Sequence, residues 1–269
     1  MTEARLQFVI FMPQWNNMDK NQLAIEINGE RMSAFRLSGG TAEPVASMTC
    51  ANKSDSGYKQ TLQELLAACG NPDNYDSFSC SYSREQCTLV PMMLFGESKP
   101  ELILNLTAHL PIPKEETDYN RLPEWSIVNV YRIPMWVKSA LIVKIPRVVI
   151  QHELSHVLRY LNTGSTIPLR THVILQESHF CMVARKDGQI AHASYQSYQS
   201  AEDVLYHLLY AYQKLGITTK GEIFLHASSE ELRTVAGNVK TLAASIEQLR
   251  VQTITTHLYE HIQFQTLCV

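Results

Sequence analysis

Residues 22 to 37 read Gln22-Leu-Ala-Ile-Glu-Ile-Asn-Gly-Glu-Arg-Met-Ser-Ala-Phe-Arg-Leu37. Two β-rich runs, Gln22 to Ile27 and Met32 to Leu37, flank Asn28-Gly29, a dipeptide that readily turns a hairpin. Val45 to Cys50 supplies a third run, so the chain opens as a three-strand meander. Tyr58 to Cys69 then sets Leu62, Leu65 and Leu66 on one face and stops at Gly70, the pattern of an amphipathic helix with a glycine just past its end. Tyr75 to Ser83 and Cys87 to Val90 read as strands again.

The second half repeats this order. His172 to Gln176, Phe180 to Arg185 and Gln189 to Ser194 form another meander, its second turn at Asp187-Gly188. Ser200 to Asp203 is a capping box that opens a helix with an apolar stripe of Val204, Leu205, Leu208, Leu209, Tyr212 and Leu215, ending at Gly216. A strand, Glu222 to His226, meets a second box at Ser228 to Glu231 and a helix running toward Leu242. Each half therefore reads β-β-β-α-β-α, an internal duplication. Between them lies a connector with Pro111, Pro113, Pro123, Pro134 and Pro146, containing a predicted strand at 126–131, a helix around 135–143 and a helix ending near Asn162. The short polar run Thr163-Gly164-Ser165 is the expected boundary, giving halves 1–164 and 165–269.

Composition narrows the function classes. At 269 residues with 45% apolar and 18% charged side chains, the chain can bury substantial cores. Lys+Arg number 23 against Asp+Glu 26, so no global positive field attracts nucleic acid or anionic lipid. The early apolar run Phe8 to Met12 lacks the features of a signal peptide, and no run reaches membrane-spanning length. The six cysteines form no C-x-x-C pair and read as reduced, mostly buried thiols of a cytoplasmic protein.

Two meander-led α/β halves resemble the ribonuclease H-like halves of actin-like ATPases, which bind ATP between them. The stretch from Leu23 to Phe35 resembles their first phosphate hairpin. More closely, the chain from about Gln22 to Leu242 resembles DUF3822, an uncharacterised family found mainly in Bacteroidetes. That resemblance is carried by Cys87-Thr-Leu-Val-Pro-Met-Met-Leu-Phe95, Val130-Tyr-Arg-Ile-Pro134, Lys144-Ile-Pro146 with His152 following, and Ala201-Glu-Asp-Val-Leu-Tyr-His-Leu-Leu209. It implies a duplicated actin-like α/β fold, each half a mixed sheet with flanking helices, and supplies no activity.

An actin-like ATPase brings bare backbone and carboxylates up to phosphate and magnesium-bound water, so its hairpin turns need glycine and aspartate. Compared with that pattern, the first hairpin carries Glu26 for Asp, Asn28 for the first Gly and Glu30 for a hydroxyl, and keeps Gly29. Glu30 would repel phosphate. At the second hairpin Gln176-Glu177-Ser178-His179 replaces Asp and glycines, and His226-Ala227-Ser228-Ser229 stands where a Gly-Gly pair admits adenosine. With all three motifs altered, the expectation is a cleft bordered by Glu26, Asn28, Gly29, Gln176, Ala227 and Ser228 that no longer turns over ATP. Residual nucleotide binding stays open as an alternative.

His152-Glu-Leu-Ser-His156 satisfies H-E-x-x-H and competes with that reading. On a helix, His152 and His156 would lie one turn apart and hold Zn²⁺ while Glu153 deprotonates bound water. A third ligand decides the matter. Arg159 and Asn162 occupy the positions of one extended pattern, and Glu177 falls at a hairpin tip. The alternative to a zinc peptidase is a helix buried through Leu154, Val157, Leu158 and Leu161, with both histidines on its polar side.

Other features have structural readings. Tyr195 to Ser200 reads as a strand end leading into the capped helix, Tyr206, Tyr210 and Tyr212 as core or half-buried packing, and Lys114 to Asp118 as a solvated loop. Met1 to Lys20 offers an edge strand, and Thr253 to Val269 an extra strand or a subunit contact. The expected function is a non-catalytic binding or scaffolding module for a protein partner, without cofactor, nucleic acid or membrane.

Overall fold

The computed structural model describes residues 21–96, 99–108, 110–162 and 167–268, so the N-terminal edge strand and the boundary at 163–165 fall outside the described residues. The chain runs through β1 (Gln22–Ile27), β2 (Arg31–Ser38), β3 (Thr41–Thr49), α1 (Asp55–Ala68), β4 (Ser77–Tyr82) and β5 (Cys87–Pro91). There follow α2 (Pro100–Asn105), β6 (Thr117–Leu122), β7 (Ile127–Arg132), α3 (Met135–Lys144), β8 (Val149–His152) and α4 (Glu153–Leu161). The second half comprises β9 (Leu169–Leu175), β10 (His179–Lys186), β11 (Gln189–Ser197), α5 (Ala201–Lys214), β12 (Glu222–Ala227), α6 (Glu230–Ala243), α7 (Glu247–Arg250) and β13 (Thr253–Leu258), then a 3-10 segment, Glu260–Cys268.

Two five-stranded sheets share one topology, β3-β2-β1-β4-β8 and β11-β10-β9-β12-β13. In each, an antiparallel meander is extended by two parallel strands on the free edge of its first strand. The turn at Asp187-Gly188 has φ of 50° and 81°, the left-handed pair that a tight hairpin requires. The turn after β1 is built differently. Asn28 Oδ1 accepts from the backbone N–H of Glu30 at 2.8 Å and of Arg31 at 2.7 Å, a side chain closing the turn in place of a left-handed backbone.

Strand alternation gives each sheet two buried faces. Leu23, Ile25 and Ile27 pack under α1 and α3, while Ala24 turns to the opposite face with Phe35, Leu37 and Ile262. Val173 and Leu175 pack under α5 and α6, while Ile174 turns toward α4. Those opposite faces are covered by exchange. Helix α4, from the first half, lies on β9 and β10 through Leu154, Val157, Leu158 and Leu161, and Glu260–Cys268, from the second half, lies on the first sheet through Ile262. Phe264 joins the two, stacked on Tyr160 with centroids 4.0 Å apart.

Several sequence expectations need correction. The strand at Cys87 joins β6 and β7 in a separate antiparallel sheet inserted into the first half, and the fifth strand of the first sheet is β8, in a stretch expected to be helical. The Lys114 to Asp118 loop is a turn leading into β6, where Glu116 pairs with Arg132 at 2.7 Å and Asp118 with Lys138 at 2.9 Å. The second helix box opens one residue later than expected, since the N-cap of α6 is Ser229, whose hydroxyl accepts from Leu232 N–H. The capping box of α5 at Ser200 and Asp203 forms as its sequence predicts. Tyr212 is buried as expected, but Tyr206 and Tyr210 are exposed. Among the described residues five cysteines are free thiols, and no helix is long and apolar enough to cross a membrane.

Candidate functional site

The carboxyl ends of β1 and β9, where the two hairpins turn, face each other across the seam between the halves. Because Glu26 and Asn28 alternate with the core residues Ile25 and Ile27, both aim at the seam. On β9 the period that buries Val173 and Leu175 aims His172, Ile174 and the following Gln176 the same way. The hairpins are bonded directly. Asn28 Nδ2 donates to Gln176 Oε1 at 2.6 Å and to Glu177 Oε2 at 2.9 Å, and Arg31 pairs with Glu177 at 2.8 Å. Gln176 Nε2 donates in turn to Glu26 Oε1 at 3.2 Å and to Glu153 Oε1 at 2.8 Å.

Around that bridge the seam is polar and buried. Glu153 Oε2 accepts from Ser83 Oγ at 3.0 Å and from the Tyr195 hydroxyl at 3.1 Å, Ser83 also meets His179 Nε2 at 3.2 Å, and His261 Nε2 reaches Glu26 at 3.2 Å. Glu26, Asn28, Glu153, Gln176 and His261 are all buried. Burial, and next the charge of Glu26, push the Glu153 carboxyl up to about 7. Burial likewise raises Glu177.

Of the residues expected to border the cleft, Glu26, Asn28 and Gln176 meet in one network. Ala227 and Ser228 are buried at the end of β12, where the Ala227 carbonyl accepts from Tyr259 N–H at 2.9 Å. Gly29 has another role: a Cβ there would come within 2.7 Å of the Arg84 guanidinium carbon, so the glycine makes room for a cation. Glu30 pairs with Lys53 at 2.7 Å. Sequence reasoning missed Ser83, Tyr195 and His261, and it placed Glu153 only in a zinc motif. The strict alternation of β1 was the available signal, because a glutamate at its centre demands buried partners.

The H-E-x-x-H helix is corrected by the structure. His152 ends β8 and caps α4 with φ −74° and ψ 141°, its ring accepting from Leu154 N–H, so the two histidines do not share one helical face. His152 Nε2 is bonded to the Arg84 carbonyl at 2.8 Å, and Glu153 serves the seam. His156 is buried against the backbone of Cys80, not on a polar side. Burial lowers His152 to about 4 and His156 to about 3. Among the described residues no three His, Cys, Asp or Glu side chains converge as a metal site.

This is the actin-like ATPase fold with its hairpins closed on each other. A Bacteroides thetaiotaomicron protein of that fold and of unknown function matches at a TM-score of 0.70 with 15% identity, over 96% of this chain and 100% of that one. A chain of the PilM–PilN type IV pilus biogenesis complex matches at 0.50 with 12% identity, over 91% and 97%. The chain belongs to DUF3822, described as a protein of unknown function, whose family model matches residues 13–246. No curated protein matches it.

Proposed function

We propose that this protein is a non-catalytic binding or scaffolding module of the cytoplasm, built on an ATPase fold whose phosphate cleft has been converted into a fixed seam. The observation that carries this reading is the Asn28 amide bonded across the halves to Gln176 at 2.6 Å and Glu177 at 2.9 Å. Side chains occupy the approach that phosphate needs, and the buried Glu26 beside the bridge opposes a polyanion. Magnesium-ATP would have to break the bridge and expose the buried Glu26 and Glu153.

A protein partner is supported by the connection between β5 and β6 of the inserted sheet. Met93, Leu94, Leu102, Leu106 and Leu110 stand 55% to 90% exposed along that connection, and contiguous exposed apolar surface marks interaction sites. The PilM–PilN assembly offers a precedent of the same fold working in a complex. The test has two arms. Thermal melts with millimolar magnesium-ATP should show no shift beyond that of magnesium alone, and Met93→Ser with Leu106→Ser should abolish capture of a host protein that the wild-type chain retains. A saturable ATP-dependent rise in melting temperature would overturn the closed-cleft reading, and magnesium-dependent release of phosphate from ATP would overturn the non-catalytic one.

A further inference from the structure

A cavity adjoins the seam at the carboxyl ends of β1 and β4, and Asn28 borders both. Its volume is about 270 Å³. Ile27, Tyr58, Tyr82 and Trp136, which line most of it, belong to the core beneath α1 and α3, on the face of the sheet away from Glu26 and Gln176. Crevices beyond the carboxyl ends of parallel strands are the customary ligand positions of open α/β sheets.

The cavity is organised around Arg84. Its side chain bonds to the phenols of Tyr58 and Tyr82, and Gly29 leaves the guanidinium room against the hairpin turn. Tyr58 OH donates to the Gly29 carbonyl at 2.9 Å, which leaves its oxygen to accept from Arg84. So a half-buried cation has neutral side-chain partners, although buried charge ordinarily has a counter-charge and a guanidinium carries five N–H donors. Pro134 and Trp136 bring the start of α3 to the same space, and that ten-residue helix has neither a side-chain cap nor an acid in its first turn. Its first N–H groups and its dipole favour negative charge there. The other charges offset little: Arg132 is neutralised by Glu116 at 2.7 Å, and Asp55 and Glu85 are exposed to screening water. One wall is the Tyr58–Trp136 pair, stacked with centroids 5.6 Å apart and planes 2° from parallel.

We infer that this cavity binds a phosphoryl or sulfate group carried on a small ligand. Arg84 and the open start of α3 take the oxyanion from different directions, which suits a tetrahedral group, and the stacked rings leave an apolar wall for the body of the molecule.

The test is calorimetric titration of the full chain at fixed ionic strength with inorganic phosphate and with phenyl phosphate. Saturable binding at one site per chain is expected, tighter for phenyl phosphate. Arg84→Gln weakens it about tenfold or more, the loss of a charge-assisted pair, and Asp55→Asn tightens it about two- to threefold by removing an opposing charge. Arg31→Gln, in the seam, leaves it unchanged. If Arg84→Gln does not fold, the exposed Asp55→Asn decides. No saturable heat with either probe, indifference to both Arg84→Gln and Asp55→Asn, or loss of binding in Arg31→Gln would each overturn the assignment.

Discussion

Replacing Glu153 by Gln should stabilise the protein above neutral pH and lose that advantage as the pH falls. Glu153 accepts from Gln176, Ser83 and Tyr195 in a fully buried seam beside Glu26, and its carboxyl is pushed from the ordinary 4.5 to about 7. The folded state therefore holds a proton that the unfolded chain releases between those two values. For this group stability is greatest near pH 4.5 and below, declines as pH rises to about 7, and is flat beyond. Between pH 5 and pH 8 the decline is worth about 2 to 3 kcal/mol, at roughly 1.4 kcal/mol per pKa unit.

The whole protein will not show that slope directly. His152 and His172, lowered by burial to about 4 and about 3, bind protons in the unfolded chain first, so acid destabilises the fold below the ordinary histidine value of 6.5. The difference between wild type and Glu153→Gln cancels the histidines. Urea unfolding followed by circular dichroism at pH 5, 6, 7 and 8 should show the variant gaining on the wild type by about 2 to 3 kcal/mol across that range. A difference that stays constant with pH would mean that Glu153 keeps one protonation state throughout, and the electrostatic account of the seam would fail.

Asn28→Ala should cost about 1 to 3 kcal/mol by stripping Gln176 and Glu177 of their shared donor, read as a lower urea midpoint. Phe264→Ala should cost about 3 to 5 kcal/mol, because the ring, carried by the C-terminal segment, is buried against α4, and should raise hydrogen exchange in both. Leu208→Ala, wholly within the core under α5, should cost about 2 to 5 kcal/mol without altering the pH difference that isolates Glu153. Gly29→Ala should displace the Arg84 guanidinium, weakening phosphate binding in the cavity while leaving Asn28 free to bridge the halves.

The duplication was legible because it is written in local terms: alternation in β1 and β9, left-handed turn chemistry at Asp187-Gly188, and helices marked by caps and glycine stops. Strand β8 was not. Its four residues, Val149–His152, run into α4 without a turn signal, and only pairing with β4 makes them a strand. The same feature made His152-Glu153-x-x-His156 look like one helical motif, since a sequence does not show that the first histidine caps the helix. Sequence comparison located the altered cleft at Glu26, Asn28 and Gln176. What it could not supply was their contact, which joins residues about 150 positions apart, nor the arrival of His261 from a C-terminal stretch without clear periodicity.

A seam made of buried carboxylates is a costly way to hold two halves together, since apolar residues of similar volume would do so at least as well. What the polar seam supplies is a single register. Gln176 can satisfy Glu26, Glu153 and Asn28 together only at one relative placement of the two sheets, and a shift of about an ångström leaves charge without a partner. The exchanged segments reinforce this placement, because swinging the halves apart would also unstack Phe264 from Tyr160. An ATPase of this architecture profits from a hinge, whereas a scaffold profits from presenting its surfaces at fixed separation. The inserted sheet, whose β5–β6 connection carries Met93 and Leu106, is tied to α4 by the Trp125 indole, which donates to the Leu158 carbonyl at 2.7 Å. Partner binding should therefore be sensitive to substitutions in the seam, remote from the apolar surface itself. Asn28→Ala should weaken partner capture together with stability, whereas Leu208→Ala, equally destabilising but distant from the seam, should spare capture under conditions where both variants remain folded. Equal loss in both would show that the seam contributes stability alone.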